Sequence, residues 1–135
     1  MAFLLRIAQI MKRILLADDE ESILLAYKKL LSSNDVAVDT SQTVSEALYR
    51  LKEQHYEAVI VDLCLSGTAE MDGLKIVEFV KNLSPQSKVI VLTAFDDNRI
   101  REKVIFAGAY CFLEKPVSAF LIRDLLKEIG VYNLD

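Results

Sequence analysis

Four apolar runs in this 135-residue chain break off on groups suited to metal and phosphate chemistry. "ILLADDEES" stops on Asp18 and Asp19, and "AVIVDLCLS" on Asp62. "VLTAFDD" stops on Thr93 and Ala94, and "YCFLEKPVS" on Glu114, Lys115 and Pro116. Three carboxylates brought together repel, and each raises its neighbours' pKa until a cation relieves them. Oxygen-only ligation with room for water and a phosphate oxygen suits Mg²⁺. A lysine beside an aspartate offers positive charge to an arriving anion, and a threonine hydroxyl can hydrogen-bond it. An aspartate in that setting can attack phosphorus and carry the phosphoryl group as an acyl phosphate. The cation and the lysine would neutralise charge built up during transfer.

Such chemistry needs the four endings to converge, and the apolar pattern supplies the means. Ile14 to Ala17, Ala58 to Val61, Val89 to Leu92 and Tyr110 to Leu113 are nearly continuous apolar runs. Strands covered on both faces of a parallel sheet read this way. "VAVDT" (36–40) alternates instead, as an edge strand with one barer face would. Helix-period segments lie between the runs. Val44, Ala47, Leu48 and Leu51 make one stripe, preceded by a capping box of Thr43 and Glu46. Ile23, Tyr27, Leu30 and Leu31 make a second; Leu74, Val77 and Val80 a third. Ile100, Val104 and Ala107 follow, then Leu121, Leu125 and Ile129. "DDNR" (96–99) reads as a cap for the fourth helix, and "NLSPQS" as the turn into the fourth strand.

Five strand-then-helix repeats imply an α/β fold, a doubly wound parallel sheet with helices on both faces. All strands then point one way, and their carboxyl ends share one edge, where ligands of open α/β sheets bind. Singly, each polar ending has a bland explanation. Asp18 or Asp19 could cap a helix, Thr93 could be an ordinary β-branched strand residue, and Lys115 a solvated charge. Their coincidence at one sheet edge outweighs those explanations.

Bulk properties agree with one soluble domain. Apolar residues make up 53% and charged residues 27%, which is neither a disordered nor a membrane-spanning composition. The net charge of −4 and the absence of a dense basic stretch argue against direct nucleic-acid binding. Cys64 and Cys111 are too few for a disulfide framework and read as free thiols in a reducing cytoplasm. His55, in "KEQHYE" near a helix end, reads as a surface residue without partners. The apolar run in "MAFLLRIAQIMKR" is broken by Arg6 and too short for a membrane span. We expect an extension of open role over residues 1–11, one domain over 12–130, and a short tail over 131–135.

The acidic pair in "LLADDEES", the aspartate of "VIVDL", "LTA" and "GAYCFLEKP" together resemble the receiver domain of bacterial two-component response regulators. The resemblance runs from about Lys12 to Ile129. It implies a flavodoxin-like (βα)5 fold with strand order 2-1-3-4-5. By position it makes Asp62 the phosphoacceptor and gives Mg²⁺ to Asp18, Asp19, Asp62 and the backbone carbonyl of Cys64. Lys115 would contact the phosphoryl group, with Ala94 beside it and a cis bond before Pro116 shaping the loop. Thr93 would move toward the phosphoryl oxygens and Phe112 would change rotamer with it. Cys64 and Phe95 flank the site and would tune phosphoryl lifetime. Implied partners are a sensor histidine kinase or histidine phosphotransfer protein, and a target or output domain on the α4–β5–α5 face. A homodimer is open. The chain would be a switch that catalyses its own phosphorylation and slow dephosphorylation, and otherwise no enzyme.

Ser66 stands where receivers commonly carry a proline, and "MDG" (71–73) arrives about three residues late, so "CLSGTAE" looks like a small insertion. Two other classes compete. A Mg²⁺-dependent aspartyl phosphohydrolase would place its two aspartates two apart after the first strand, whereas here they are adjacent. A receiver-fold binding module independent of phosphorylation would have no need of the complete residue set.

Overall fold

The computed structural model describes residues 11–66, 70–95 and 97–132; the apolar extension at residues 1–10 lies outside them. Five strands, β1 (Lys12–Ala17), β2 (Val36–Ser41), β3 (Ala58–Asp62), β4 (Lys88–Thr93) and β5 (Cys111–Glu114), alternate with five helices. These are α1 (Glu21–Leu31), α2 (Val44–Glu53), α3 (Leu74–Leu83), α4 (Asn98–Phe106) and α5 (Ala119–Glu128). The sheet order is β2-β1-β3-β4-β5 and every pairing is parallel. The alternating stretch is the edge strand β2, as expected.

Alternation along the strands divides the core in two. Leu15, Ala17, Val59, Val61, Val89 and Val91 face one way and pack with Ala47, Ile76, Val80 and Val104 of α2, α3 and α4. Ile14, Leu16, Ile60, Ile90 and Leu92 face the other way, against Leu24 and Leu31 of α1 and Ile122 and Leu126 of α5. Two helix stripes therefore differ in part from expectation. In α1, Leu31 is buried and Tyr27 packs on the core as expected, but Leu24 replaces Leu30. In α5 the buried line runs through Ile122 and Leu126, with Leu125 and Ile129 beside it. Leu24 is buried while Leu30 is 41% exposed, and Ile122 and Leu126 are buried while Leu121 is 46% exposed. Both helices carry apolar residues around more than half their circumference, so the sheet, not the local period, selects the inward face. Val131 and Tyr132, beyond α5, are also core, and the Tyr132 hydroxyl donates to the Leu31 carbonyl at 2.7 Å.

The helices start where the chain supplies acceptors. Thr43 Oγ1 accepts from the Glu46 N–H at 3.1 Å, while the Glu46 carboxylate accepts from Gln42 instead of the cap's own N–H. Asp97 caps α4 through the Arg99 N–H at 2.7 Å, and Ser118 caps α5. Among the described residues, no helix is long and apolar enough to cross a membrane.

Candidate functional site

Hydrogen bonding between strands continues just past their carboxyl ends, which fixes the residues that follow. The Asp18 N–H donates to the Ser41 carbonyl, Leu63 N–H to Leu92, and Lys115 N–H to Thr93. Asp18 and Asp62 thus leave the adjacent strands β1 and β3, and Lys115 leaves β5 on the far side of β4, all at the same edge of the sheet. Carboxylate oxygens of Asp18, Asp19 and Asp62 lie within 4.8 Å of one another. Asp18 and Asp62 are buried and Asp19 is exposed.

Each buried carboxylate is held at both oxygens. Asp18 Oδ1 accepts from the Glu20 N–H at 2.9 Å, and Asp62 Oδ1 from the Cys64 N–H at 3.2 Å. Their Oδ2 atoms converge on one ammonium: Lys115 Nζ stands 3.2 Å from Asp18 and 3.0 Å from Asp62. Burial pushes the Asp62 carboxyl up from its ordinary range; Lys115 pulls it back, Asp18 pushes it up again, and the net direction is upward. Burial works against the Lys115 charge, but the two carboxylates outweigh it and hold its pKa above the usual lysine value. Two acidic groups therefore share one cation. The acidic set is all oxygen and carries more negative charge than Lys115 neutralises, which fits a hard divalent cation.

Asp62 should consequently lower stability as pH rises. A folded-state pKa above the unfolded 3.8 means that the native state holds this proton more tightly. Stability contributed by that proton is lost between 3.8 and the raised value. Without Mg²⁺, urea melts of Asp62→Asn and the native chain should diverge across that window, the variant keeping more of its low-pH stability.

After β3 the chain returns to the carboxyl edge of the sheet. Asp72 accepts from the Ser66 N–H at 3.0 Å, closing the loop on itself, and the Gly73 N–H donates to the Leu63 carbonyl at 2.8 Å. Residues 67–69 lie outside the described residues. A Cβ on Gly73 would sit 2.3 Å from the Asp62 carbonyl and 2.9 Å from that of Leu63. The requirement is space against backbone, since Gly73 has an ordinary helical φ of −62°. Gly73→Ala should cost about 3 kcal/mol in denaturant melts, the upper end of overpacking effects, because α3 must retreat from β3. A cost under about 0.5 kcal/mol would mean the approach is looser than drawn.

The remaining expected site residues separate into two groups. Thr93 is buried and its Oγ1 accepts from the Phe95 N–H at 3.1 Å. Lys115–Pro116 is cis. Cys64 is half-buried, and burial with Asp62 and Asp72 pushes its thiol pKa up, against a reactive thiolate. Ala94 and Phe95 are exposed, the latter by 60%. Phe112 lies inward in the core beneath α4, the Arg101 guanidinium 5.0 Å from its ring centre. His55, far from this edge, does have neighbours: its Nδ1 is 3.5 Å from Ser84 Oγ and its Nε2 3.5 Å from Glu57. The Ser84 contact was invisible in sequence, 29 residues away.

The family model for the response regulator receiver domain matches residues 14–127. A putative NtrX-like response regulator of Rickettsia bellii (strain RML369-C) is 33% identical over 114 residues, covering 84% of this chain and 24% of that protein. The response regulator MprA of Mycolicibacterium vanbaalenii is 30% identical, with 84% and 47% covered. This chain therefore spans from a quarter to a half of those relatives' length. Among solved structures, the beryllofluoride-activated NtrC4 receiver domain dimer superposes with a TM-score of 0.76 at 35% identity, over 88% of this chain and 96% of that one. A CheY-like receiver domain protein from Methanospirillum hungatei JF-1 gives 0.78 at 26%, over 87% and 92%. With the strand order, the edge-clustered aspartates and the family match in agreement, the chain belongs to the response regulator receiver domains of two-component systems.

Proposed function

We propose that Asp62 accepts a phosphoryl group from the phosphohistidine of a sensor kinase or phosphotransfer protein. The observation carrying this reading is Lys115 Nζ within 3.2 Å of two buried carboxylates at the ends of adjacent strands. In the transfer, the nitrogen–phosphorus bond of the donor breaks as an Asp62 oxygen–phosphorus bond forms, and the bonding pair returns to the imidazole. Mg²⁺, held by Asp18, Asp19, Asp62 and the Cys64 carbonyl, would supply positive charge to the phosphoryl oxygens. Lys115 neutralises part of the same charge from the protein side. Thr93 turns from the Phe95 N–H toward the phosphoryl group, and Phe112 responds beneath α4.

The signal then emerges on α4, β5 and α5, where Phe106 is 85% and Phe120 68% exposed. An output domain, a target protein or a second copy of this chain would meet that surface. The dimeric state of the activated NtrC4 receiver supports the last of these. The domain works in the cytoplasm, and the insertion at 64–72 selects the kinase or the phosphoryl lifetime. Phe95 shields the acyl phosphate from water, so Phe95→Ala should shorten its half-life several-fold; an unchanged decay rate would remove that role.

The reading is tested by intact-protein mass after incubation with a small acyl phosphate donor. One phosphoryl group should be gained with Mg²⁺ and none when the ion is chelated. Folded protein that binds Mg²⁺ and gains nothing from either donor or phosphorylated kinase would refute it.

A further inference from the structure

We propose that Tyr27 is a positioning residue for phosphoryl transfer, its hydroxyl tethering the loop that carries Lys115; the proposal rests on the phosphoacceptor reading above. The Tyr27 hydroxyl donates to the Val117 carbonyl at 2.6 Å, across 90 positions of sequence. Val117 is two residues beyond Lys115, on the far side of Pro116, which has no N–H to offer. Upstream, the loop is anchored by the Lys115 N–H on the Thr93 carbonyl at 2.6 Å. Downstream, α5 begins with the Ser118 cap. The tyrosine is therefore the side-chain anchor between those two points, and it ties β5 to α1, the helix that follows Asp18 and Asp19.

Its placement beside the reacting groups has two further supports. Tyr27 lines a cavity of about 420 Å³ together with Asp18, Lys115, Ile23, Pro116 and Val117. Burial raises the phenol's pKa, and the charges of Lys115 and Asp18 also act on it, in opposite senses. The ring itself packs on the apolar cluster between α1, α5 and the sheet, so hydroxyl and ring have separable roles. Ring packing holds α1 to the sheet, while the hydroxyl fixes the height of the lysine loop. An ammonium that must sit within 3.2 Å of two carboxylates at once tolerates little movement of its backbone.

Tyr27→Phe removes only the hydroxyl and keeps the ring. Phosphoryl uptake from a small acyl phosphate at saturating Mg²⁺ should slow about five- to twentyfold, less than the ~hundredfold expected for losing Lys115 itself. The half-saturating Mg²⁺ concentration should not rise, because the acidic set is untouched; any change should be a fall, in the same direction as for Lys115→Ala. In a Lys115→Ala background the second substitution should cost nothing further, a coupling that a general loss of stability would not produce. An unchanged rate in Tyr27→Phe, or an equal loss with and without Lys115, would overturn the proposal. Amide hydrogen exchange at Lys115 supplies a readout that needs no phosphorylation, and it should quicken in Tyr27→Phe. Should the native chain take up no phosphoryl group, the phosphoacceptor reading falls by itself. Unchanged exchange at Lys115 would then still refute the tether, and faster exchange would uphold it.

Discussion

Asp62→Ala is expected to take up no phosphoryl group under conditions that fully modify the native chain. Asp62 is buried, and it presents Oδ2 to Lys115 while Oδ1 is engaged by the Cys64 N–H. Asp18 is equally buried, but its Oδ1 is taken by Glu20 and it leaves a different strand. Asp19 is exposed and unshielded from water. Neither neighbour has the same set of contacts, so neither should substitute as nucleophile. The variant should also lose most of its stabilisation by Mg²⁺. For the native chain that stabilisation is about 1.4 kcal/mol at a tenfold excess over Kd, and urea melts with and without the ion measure it. Full phosphorylation of Asp62→Ala would move the nucleophile elsewhere.

Lys115→Ala should slow phosphoryl uptake by about a hundredfold, the usual order for removing one preorganised charge from a transfer site. Its effects on binding and stability should have opposite signs. Mg²⁺ should bind more tightly, because a competing cation has left the acidic set. Without Mg²⁺ the fold should weaken by about 1–2 kcal/mol, below the cost of breaking a fully buried pair because the lysine side chain keeps 23% exposure. Adding Mg²⁺ should restore much of that loss. Uptake at the native rate would show that Lys115 is a structural counter-charge only.

Much of this was legible in sequence for a single physical reason. Central parallel strands are covered on both faces, so β1, β3 and β4 announce themselves as unbroken apolar runs. The polar residues that end those runs can only lie on the sheet edge to which all strands point. Asp18, Asp62 and Thr93 follow directly, and Lys115 follows in the same way from the apolar run of β5, though that strand is an edge strand of the sheet. Helix orientation was less legible because α1 and α5 have two overlapping apolar stripes. In α5, Leu121 and Leu125 compete with Ile122 and Leu126, and contact with Ile90 and Leu92 decides the matter. Hydrogen bonds from tyrosine hydroxyls to distant backbone carbonyls were not legible. Nothing local marks Tyr27 for the Val117 carbonyl or Tyr132 for that of Leu31. Gly73 was visible as part of "MDG", yet its reason, a backbone approach that leaves no room for a Cβ, belongs to the folded chain.

The most direct test of Asp62 as phosphoacceptor is chemical trapping. An acyl phosphate is reduced by borohydride to an alcohol, which converts a phosphorylated aspartate into homoserine. The native chain would be treated with donor and Mg²⁺, reduced, digested and mapped by peptide mass. Homoserine at position 62, at no other position and absent when Mg²⁺ is chelated, is the expected result. Homoserine at position 18 or 19, or a stable phosphate on a hydroxyl side chain with position 62 unchanged, would contradict it.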